Sequence, residues 1–471
     1  MRSSIASVPL VVCMVISTPA QAQQIDRTPQ APPTASDPVG QPTVAPPGQT
    51  APAAEPPAIP SPGAPLATPP PPEPAPKPEA PALPTVRFYG TIKPTLAVSA
   101  SGVESFGNPN ASAITAAANP VVAPLHKSSR ATFQVAQSRF GFNVNERGHL
   151  RGHVEIDFLD SAKASPTVAS NPRLRIATVD WVPSDQFTMS FGQDWDLHAP
   201  LNAYTINLVG GMFQAGNSAF MRQQIKALYK TDAFELAGAI GIQALNVTPK
   251  DNFVEIGHFP SFAARAAVLV GKTGRIGVSG IATQFTFAPG LPTERQAGGL
   301  GGALFADVTP YEALNVRFES YIGRNQANMG MLTLGQGGAG FDADELGGFV
   351  SGRHVIVEGH AAYVTAGFAQ ILNPSDIKPS YAYPAAAAAA PGAPPPPAPD
   401  TATAISSGAG PGMRWNLGVR LGYEYRPIKA VAFIVEGFLY QSRHVLLAVD
   451  QGRFESTQTA PGVESGILYT F

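Results

Sequence analysis

From residue 86 to the end of the chain, apolar residues alternate with polar or small ones over stretches of roughly ten positions, a weak signal in any one stretch that gains weight by recurring. Leu150, Gly152, Val154, Ile156 and Phe158 fall on one side of such a stretch, and Arg151, His153, Glu155 and Asp157 on the other. Leu314, Val316, Phe318 and Ile322 oppose Asn315, Arg317 and Glu319. Trp415, Leu417, Val419, Leu421, Tyr423 and Tyr425 oppose Arg414, Asn416, Arg420 and Glu424. Successive side chains of a strand point to opposite faces, so this period of two predicts half-apolar β-strands. Helical periodicity is poor, and no apolar run after the N-terminus is long enough for a membrane helix.

Connections separate a membrane barrel from a soluble sandwich. Short turn signals fall at 145–148, 183–185, 230–232, 271–274, 309–311, 351–353 and 426–429. Longer connections lie between them, at about 99–129, 160–172, 193–217, 244–260, 287–298, 325–342, 370–413 and 445–462. Short and long alternate strictly, as periplasmic turns and outer loops do in outer-membrane barrels. Seven short and eight long connections predict an all-β fold: a transmembrane antiparallel up-and-down β-barrel of about 16 strands. A barrel of that size leaves an aqueous channel.

The N-terminal composition sets the domain plan. Arg2, an apolar run from Val8 to Ile16 and Ala20-Gln21-Ala22 form a secretory signal, residues 1–22. Residues 23–85 carry proline at nearly every third position and little to bury, which predicts a disordered, extended proline-rich tether. About 60 residues at roughly 3.1 Å each reach on the order of 150 Å, enough to bring the tether near peptidoglycan in the periplasm. Residues 86–471 are left for the barrel. Cys13 is the single cysteine and lies in the signal, so disulfides, thiol catalysis, zinc fingers and iron–sulfur clusters are excluded from the mature chain. Formal net charge is −2 with both signs mixed, which argues against a nucleic-acid partner.

The chain closes on Ile467, Tyr469 and Phe471, an alternating apolar strand with a terminal aromatic, the pattern read by the barrel-assembly machinery. Phe88-Tyr89-Gly90 opens the barrel. Ser138-Arg139-Phe140-Gly141-Phe142, Gly152–Phe158, Arg173-Leu174-Arg175 and Phe191-Gly192-Gln193-Asp194-Trp195 follow in order. This succession resembles the DcaP-like outer-membrane porins over residues 86–200. The resemblance implies a homotrimeric 16-stranded porin that passes small, often anionic solutes such as dicarboxylates. It also implies an N-terminal coiled coil, where this chain has its proline-rich stretch.

Arg139, Arg151, Arg173, Arg175, Arg222, Lys226 and Arg265 oppose apolar faces on strands two, three, four, six and eight, and are the pore-lining candidates. A basic row along a pore wall favours anions, and arginine fits carboxylate bidentately. The competing reading pairs them with Glu155, Asp157 and Glu235 as wall braces. The third long connection, with Asp194, Trp195, Asp196, His198 and the flexible Gly210-Gly211 pair, is the candidate constriction. The expected partners are the outer-membrane bilayer and small solutes; no metal or cofactor is expected.

Two other classes compete with a pore. One is a structural tether between envelope layers. The other is a barrel hydrolase using His153, Glu155 and Asp157, or His354, Glu358 and His360, as sets sharing a strand face. Residues two apart sit roughly 6.6 Å apart along a strand, too far for most direct hydrogen bonds. Neither a Gly-x-Ser-x-Gly elbow nor a His-Glu-x-x-His site occurs. The expectation is a non-enzymatic, tethered porin.

Overall fold

The computed structural model describes residues 84–103, 111, 129–158, 172–207, 211–218, 221–242, 260–271, 274–287, 295–334, 342–373, 380–381, 412–448 and 452–471. The expected signal, the proline-rich segment, Gly210 and the alanine- and proline-rich stretch 383–400 lie outside the described residues.

Sixteen strands close into one antiparallel barrel. They are β1 (Val86–Ile92 and Thr95–Ser99), β2 (Arg130–Gln134 and Arg139–Val144), β3 (Leu150–Asp157) and β4 (Arg173–Ser184). Then come β5 (Phe187–Trp195), β6 (Met221–Lys230), β7 (Phe234–Ile242) and β8 (Ser261–Val270). The far side holds β9 (Gly274–Phe287), β10 (Arg295–Tyr311), β11 (Leu314–Arg324) and β12 (Asp344–Val357). The last four are β13 (His360–Ile371), β14 (Met413–Ile428), β15 (Val431–Ala448) and β16 (Gly452–Thr470). A two-residue piece, Ser380–Tyr381, pairs in parallel with β15.

Closure rests on β1 and β16. Thr91 faces Thr470 and Leu96 faces Ser465 in one continuous register. The terminal Phe471 exchanges both backbone hydrogen bonds with Gly90, at 3.0 and 3.1 Å. A closed barrel has no free edge, so backbone groups are paired within the hydrocarbon layer. Toward β2 the register of β1 slips by one residue between Thr91 and Thr95, and this irregularity turns Lys93, Gln137 and Ser138 into the interior.

The alternation read from the sequence is the inside–outside alternation of the wall. Leu150, Phe318, Ile322, Leu421, Tyr423 and Tyr425 are exposed on the outer surface. Glu155, Asp157, Arg317, Glu319, Asn416, Arg420 and Glu424 are buried inside. Exposed aromatics gather toward the short-turn end: Phe88, Trp181, Tyr229, Phe234, Tyr311, Tyr425, Phe433 and Tyr469. This is the aromatic girdle of a membrane interface. Inside, rings lie flat over glycines of the next strand, as Tyr89 over Gly141, Tyr321 over Gly347 and Tyr363 over Gly422.

Several expected connections move. The turn expected at 351–353 lies within β12, and the chain reverses at Glu358-Gly359 instead, where Gly359 takes φ +77°. His354, Glu358 and His360 therefore do not share a strand face: His354 is on β12, Glu358 in the turn, and His360 opens β13. The turn expected at 309–311 falls two residues later, between Tyr311 and Leu314. The long loop expected at 445–462 is mostly strand, because β15 and β16 pair from Val431–Tyr469 up to Ala448–Gly452. These strands have 18 and 19 residues, against the roughly 10 that span a bilayer, so their hairpin stands above the membrane.

Candidate functional site

Residues 196–207 and 211–218, between β5 and β6, enter the barrel and follow its inner wall. Asp194 and Trp195, expected in this loop, are the last two residues of β5; Asp196 and His198 begin the loop itself. Its course is set by groups on the far wall. The Leu201 N–H donates to Glu319 Oε2 on β11 at 2.9 Å. The Tyr204 N–H donates to Ser351 Oγ on β12 at 2.8 Å, and Thr365 Oγ1 on β13 donates to the Tyr204 carbonyl at 2.7 Å. Tyr204 Oη donates to Asn315 Oδ1 at 2.6 Å, and Arg317 lies over the tyrosine ring. The Ile206 N–H donates to Glu436 Oε2 on β15 at 2.8 Å, and Tyr440 Oη donates to the Gly211 carbonyl. Hydroxyls and carboxylates of the wall thus take the place of a neighbouring strand. Glu319 and Glu436 are fully buried in doing so.

The loop then doubles back. The Ala215 and Asn217 N–H groups both donate to the Met212 carbonyl, and Gly216 takes φ +102°. A side chain at Gly216 would strike the Gly348 carbonyl, so glycine is required there by both backbone and space. Part of the connection between β11 and β12 also turns inward. Gln326–Met329 forms a short 3-10 turn whose residues are all buried. The Gln214 N–H donates to the Leu332 carbonyl, and the Leu332 N–H to that of Ser218. Val103 and Ala111 of the connection between β1 and β2 are buried with Met212 and Ala215 as well, so among the described residues three connections enter the barrel, of which the sequence pointed to one.

Arg222 on β6 joins the β5–β6 and β11–β12 loops to the wall. Its Nε donates to Asp196 Oδ2 at 2.6 Å, and its Nη2 to the Met329 carbonyl at 2.8 Å. Lys226, four residues along on the same face of β6, pairs with Asp194. His198 is fully buried, and burial pushes its pKa below the ordinary histidine range against the opposing pull of Asp196.

The other expected basic residues divide into two groups. Arg175 is buried between Glu155 and Asp157 and lies over the Trp195 ring. Arg265 pairs with Glu235 at 2.6 Å, so it and Arg175 make the pairs of the competing reading, whereas Arg222 and Lys226 pair with Asp196 and Asp194 instead. Arg173 holds Asp157 bidentately, at 2.9 and 2.7 Å, but keeps 22% of its side chain exposed. Arg139 directly faces Asp157 in register and stays partly exposed, while its Nε has no hydrogen-bond partner among the described residues. Arg151 is also partly exposed, with its Nε on the Gly148 carbonyl at 2.9 Å. Nearby, Tyr89 Oη is 2.6 Å from His153 Nε2 and donates to Glu155 Oε2 at 3.2 Å, so this set is occupied with wall contacts. Three arginines, 139, 173 and 175, thus face two carboxylates on β2–β4. That wall stands roughly opposite the β11–β13 anchors of the loop, since β3 and β11 are half of the 16-strand circumference apart.

A closed 16-stranded antiparallel barrel with a loop folded inside defines the fold of the outer-membrane porins. Among solved structures, the chain is similar to the outer membrane channel DcaP of Acinetobacter baumannii, at 14% identity and a TM-score of 0.56, covering 83% of this chain and 99% of that one. It is also similar to an anion-selective porin from Comamonas acidovorans, at 12% identity and a TM-score of 0.49, covering 83% and 100%. The likeness to the first bears out, at the level of the fold, the resemblance seen in the sequence. No protein-family model and no curated protein matches the chain.

Proposed function

We propose that the chain is a passive diffusion pore of the bacterial outer membrane, passing small hydrophilic solutes with a mild preference for anions. The observation that carries this reading is the placement of the inward loop. Its backbone anchors lie on β11–β15 and its Asp196 is tied to β6, which leaves β2–β4 as the wall for a water-filled path. The partly exposed basic residues of that wall, Arg139, Arg151 and Arg173, are the ones a passing solute meets. Glu155, Asp157 and Asp180 do not neutralise Arg139, Arg151, Arg173 and Arg175 there, and the surplus of one cation favours anions.

The outer apolar band and aromatic girdle support an outer-membrane location, as does the likeness to an outer membrane channel. The homotrimer and the dicarboxylate class rest on the resemblance to DcaP-like porins. The alternation of Ile467, Tyr469 and Phe471, all facing outward, supports their role as the assembly signal. Residues 1–22 as a signal and 23–85 as a periplasmic tether remain part of this reading.

Reversal potential in a salt gradient tests the selectivity. Wild type is expected to favour anions, and Arg139→Ala with Arg173→Ala to lose much of that preference. An unchanged reversal potential in the double variant overturns the assignment.

A further inference from the structure

One row of inward-facing positions runs across seven adjacent strands in the hydrogen-bonding direction: Phe305, Glu319, Phe349, Gly367, Gly418, Tyr440 and Ala460, each paired with the next across β10 to β16. The inward loop lies on this row. Leu201 packs with Phe305 and Phe349 and bonds to Glu319. Met212 and Ala215 pack with Tyr440 and Ala460, and Gly211 bonds to Tyr440. Between these groups the row is empty of side chains. At that gap, Gly367 on β13 and Gly418 on β14 are direct register partners.

The segment 212–216 fills the gap. A Cβ on Gly367 would come closer than 3.0 Å to both the Ala215 carbonyl oxygen and Met212 Cε. A Cβ on Gly418 would fall 2.9 Å from Tyr440 Cε1 on β15, 3.1 Å from Ala215 Cβ and 3.2 Å from Met212 Cε. Neither glycine has a positive φ, so a backbone need does not account for them. Other inward glycines of the wall, such as Gly141, Gly347 and Gly422, lie under a ring of their own wall; Gly367 lies under the loop, and Gly418 under both the loop and the Tyr440 ring.

We propose that Gly367 and Gly418 are positioning residues that set the width of the pore, by letting residues 212–216 lie directly on the backbone of β13–β14. The proposal rests on the pore reading. The loop is tied on both sides of the seat, at Leu201–Ile206 by Glu319, Ser351, Thr365 and Glu436, and beyond 216 through Leu332. A side chain under it cannot release it, so it lifts the segment toward β2–β4. Carbon–carbon contacts are comfortable at about 3.5–4.0 Å, so one methyl at Gly367 displaces the segment by on the order of 1 Å. The path narrows, and large solutes lose more than small ones.

The test uses the purified full chain in planar bilayers and in liposome-swelling assays with a monosaccharide and a trisaccharide. Gly367→Ala and Gly418→Ala are expected to lower conductance and to slow the trisaccharide more than the monosaccharide. Gly437→Ala, on the outer face of β15 with no atom near its Cβ, is the control and is expected to match wild type. Ala215→Gly removes the loop methyl that a Gly418→Ala side chain meets and leaves its contact with Tyr440 in place, so the double variant is expected to regain part of the conductance and solute ratio. Heat-modifiable mobility checks folding, and Gly418→Ala, the milder change, decides if Gly367→Ala does not fold. Seat variants that conduct and discriminate as wild type overturn the proposal, and so does a double variant no better than the single. A wild-type chain that folds but does not conduct overturns the pore reading itself.

Discussion

Arg222 is the group whose loss should most disturb the constriction. It is almost wholly buried, as is its partner Asp196, and it also holds the Met329 carbonyl of the second loop. Arg222→Ala leaves the Asp196 carboxylate buried without its cation, a change that typically costs about 3–5 kcal/mol. Replacing both partners with apolar residues is far less costly, often near neutral. Arg222→Met with Asp196→Leu should therefore be much closer to wild type than Arg222→Ala alone. The energy falls on the contact that joins the two loops to β6, so the expected sign is open-channel noise and sub-conductance steps. Loss of the barrel is not expected. Single-channel recordings read the noise, and heat-modifiable mobility shows whether the barrel persists. A quiet Arg222→Ala channel, or a double variant as noisy as the single, refutes the reasoning.

Other predictions follow the same contacts. Arg175→Ala should lower the temperature of heat modification, since Arg175 is a brace between Glu155 and Asp157, and should weaken the anion preference, since it removes one of the cations that outnumber the carboxylates of that wall; both are read on the same preparation. Glu319→Gln keeps an acceptor for the Leu201 N–H and should conduct as wild type, whereas Glu319→Leu removes it and should make the channel noisy. His198 has a native pKa below its value in a detached loop, so docking is fully favoured above about 6.5 and weakens as the pH falls below that value toward the lowered native pKa. Channel noise should rise in wild type as the pH falls below about 6.5 and stay flat in His198→Asn. Deleting Phe471 removes both backbone bonds to Gly90 and the terminal aromatic, and should cut the yield of folded barrel in outer-membrane fractions.

The wall was legible because its code is local. Alternation at period two marks which face of Leu150–Asp157 or Trp415–Tyr425 meets lipid, and no distant residue changes that. Turn residues were a poorer guide. Ser351-Gly352-Arg353 has turn composition, yet Gly352 sits on the outer face of β12 with open space around it. Pro461 and Gly462 suggested a loop, but Pro461 pairs with Leu439 inside β16 and gives its carbonyl to the Ala100 N–H. Asp196 and His198 stood out as polar residues in a candidate loop, and both are buried in it. Which basic residues face the path was not legible, because Arg175 and Arg139 have the same periodicity and differ only in the carboxylates that other strands bring to them. The seat at Gly367 and Gly418 was hidden for the same reason. The two are 51 positions apart and become neighbours only through the register of β13 with β14.

Single-channel conductance of the purified protein in a planar bilayer, followed by reversal potential in a salt gradient, tests the central claim most directly. The account predicts stable open steps arriving in threes, with a reversal potential favouring anions. A folded, heat-modifiable barrel that passes no current would contradict it.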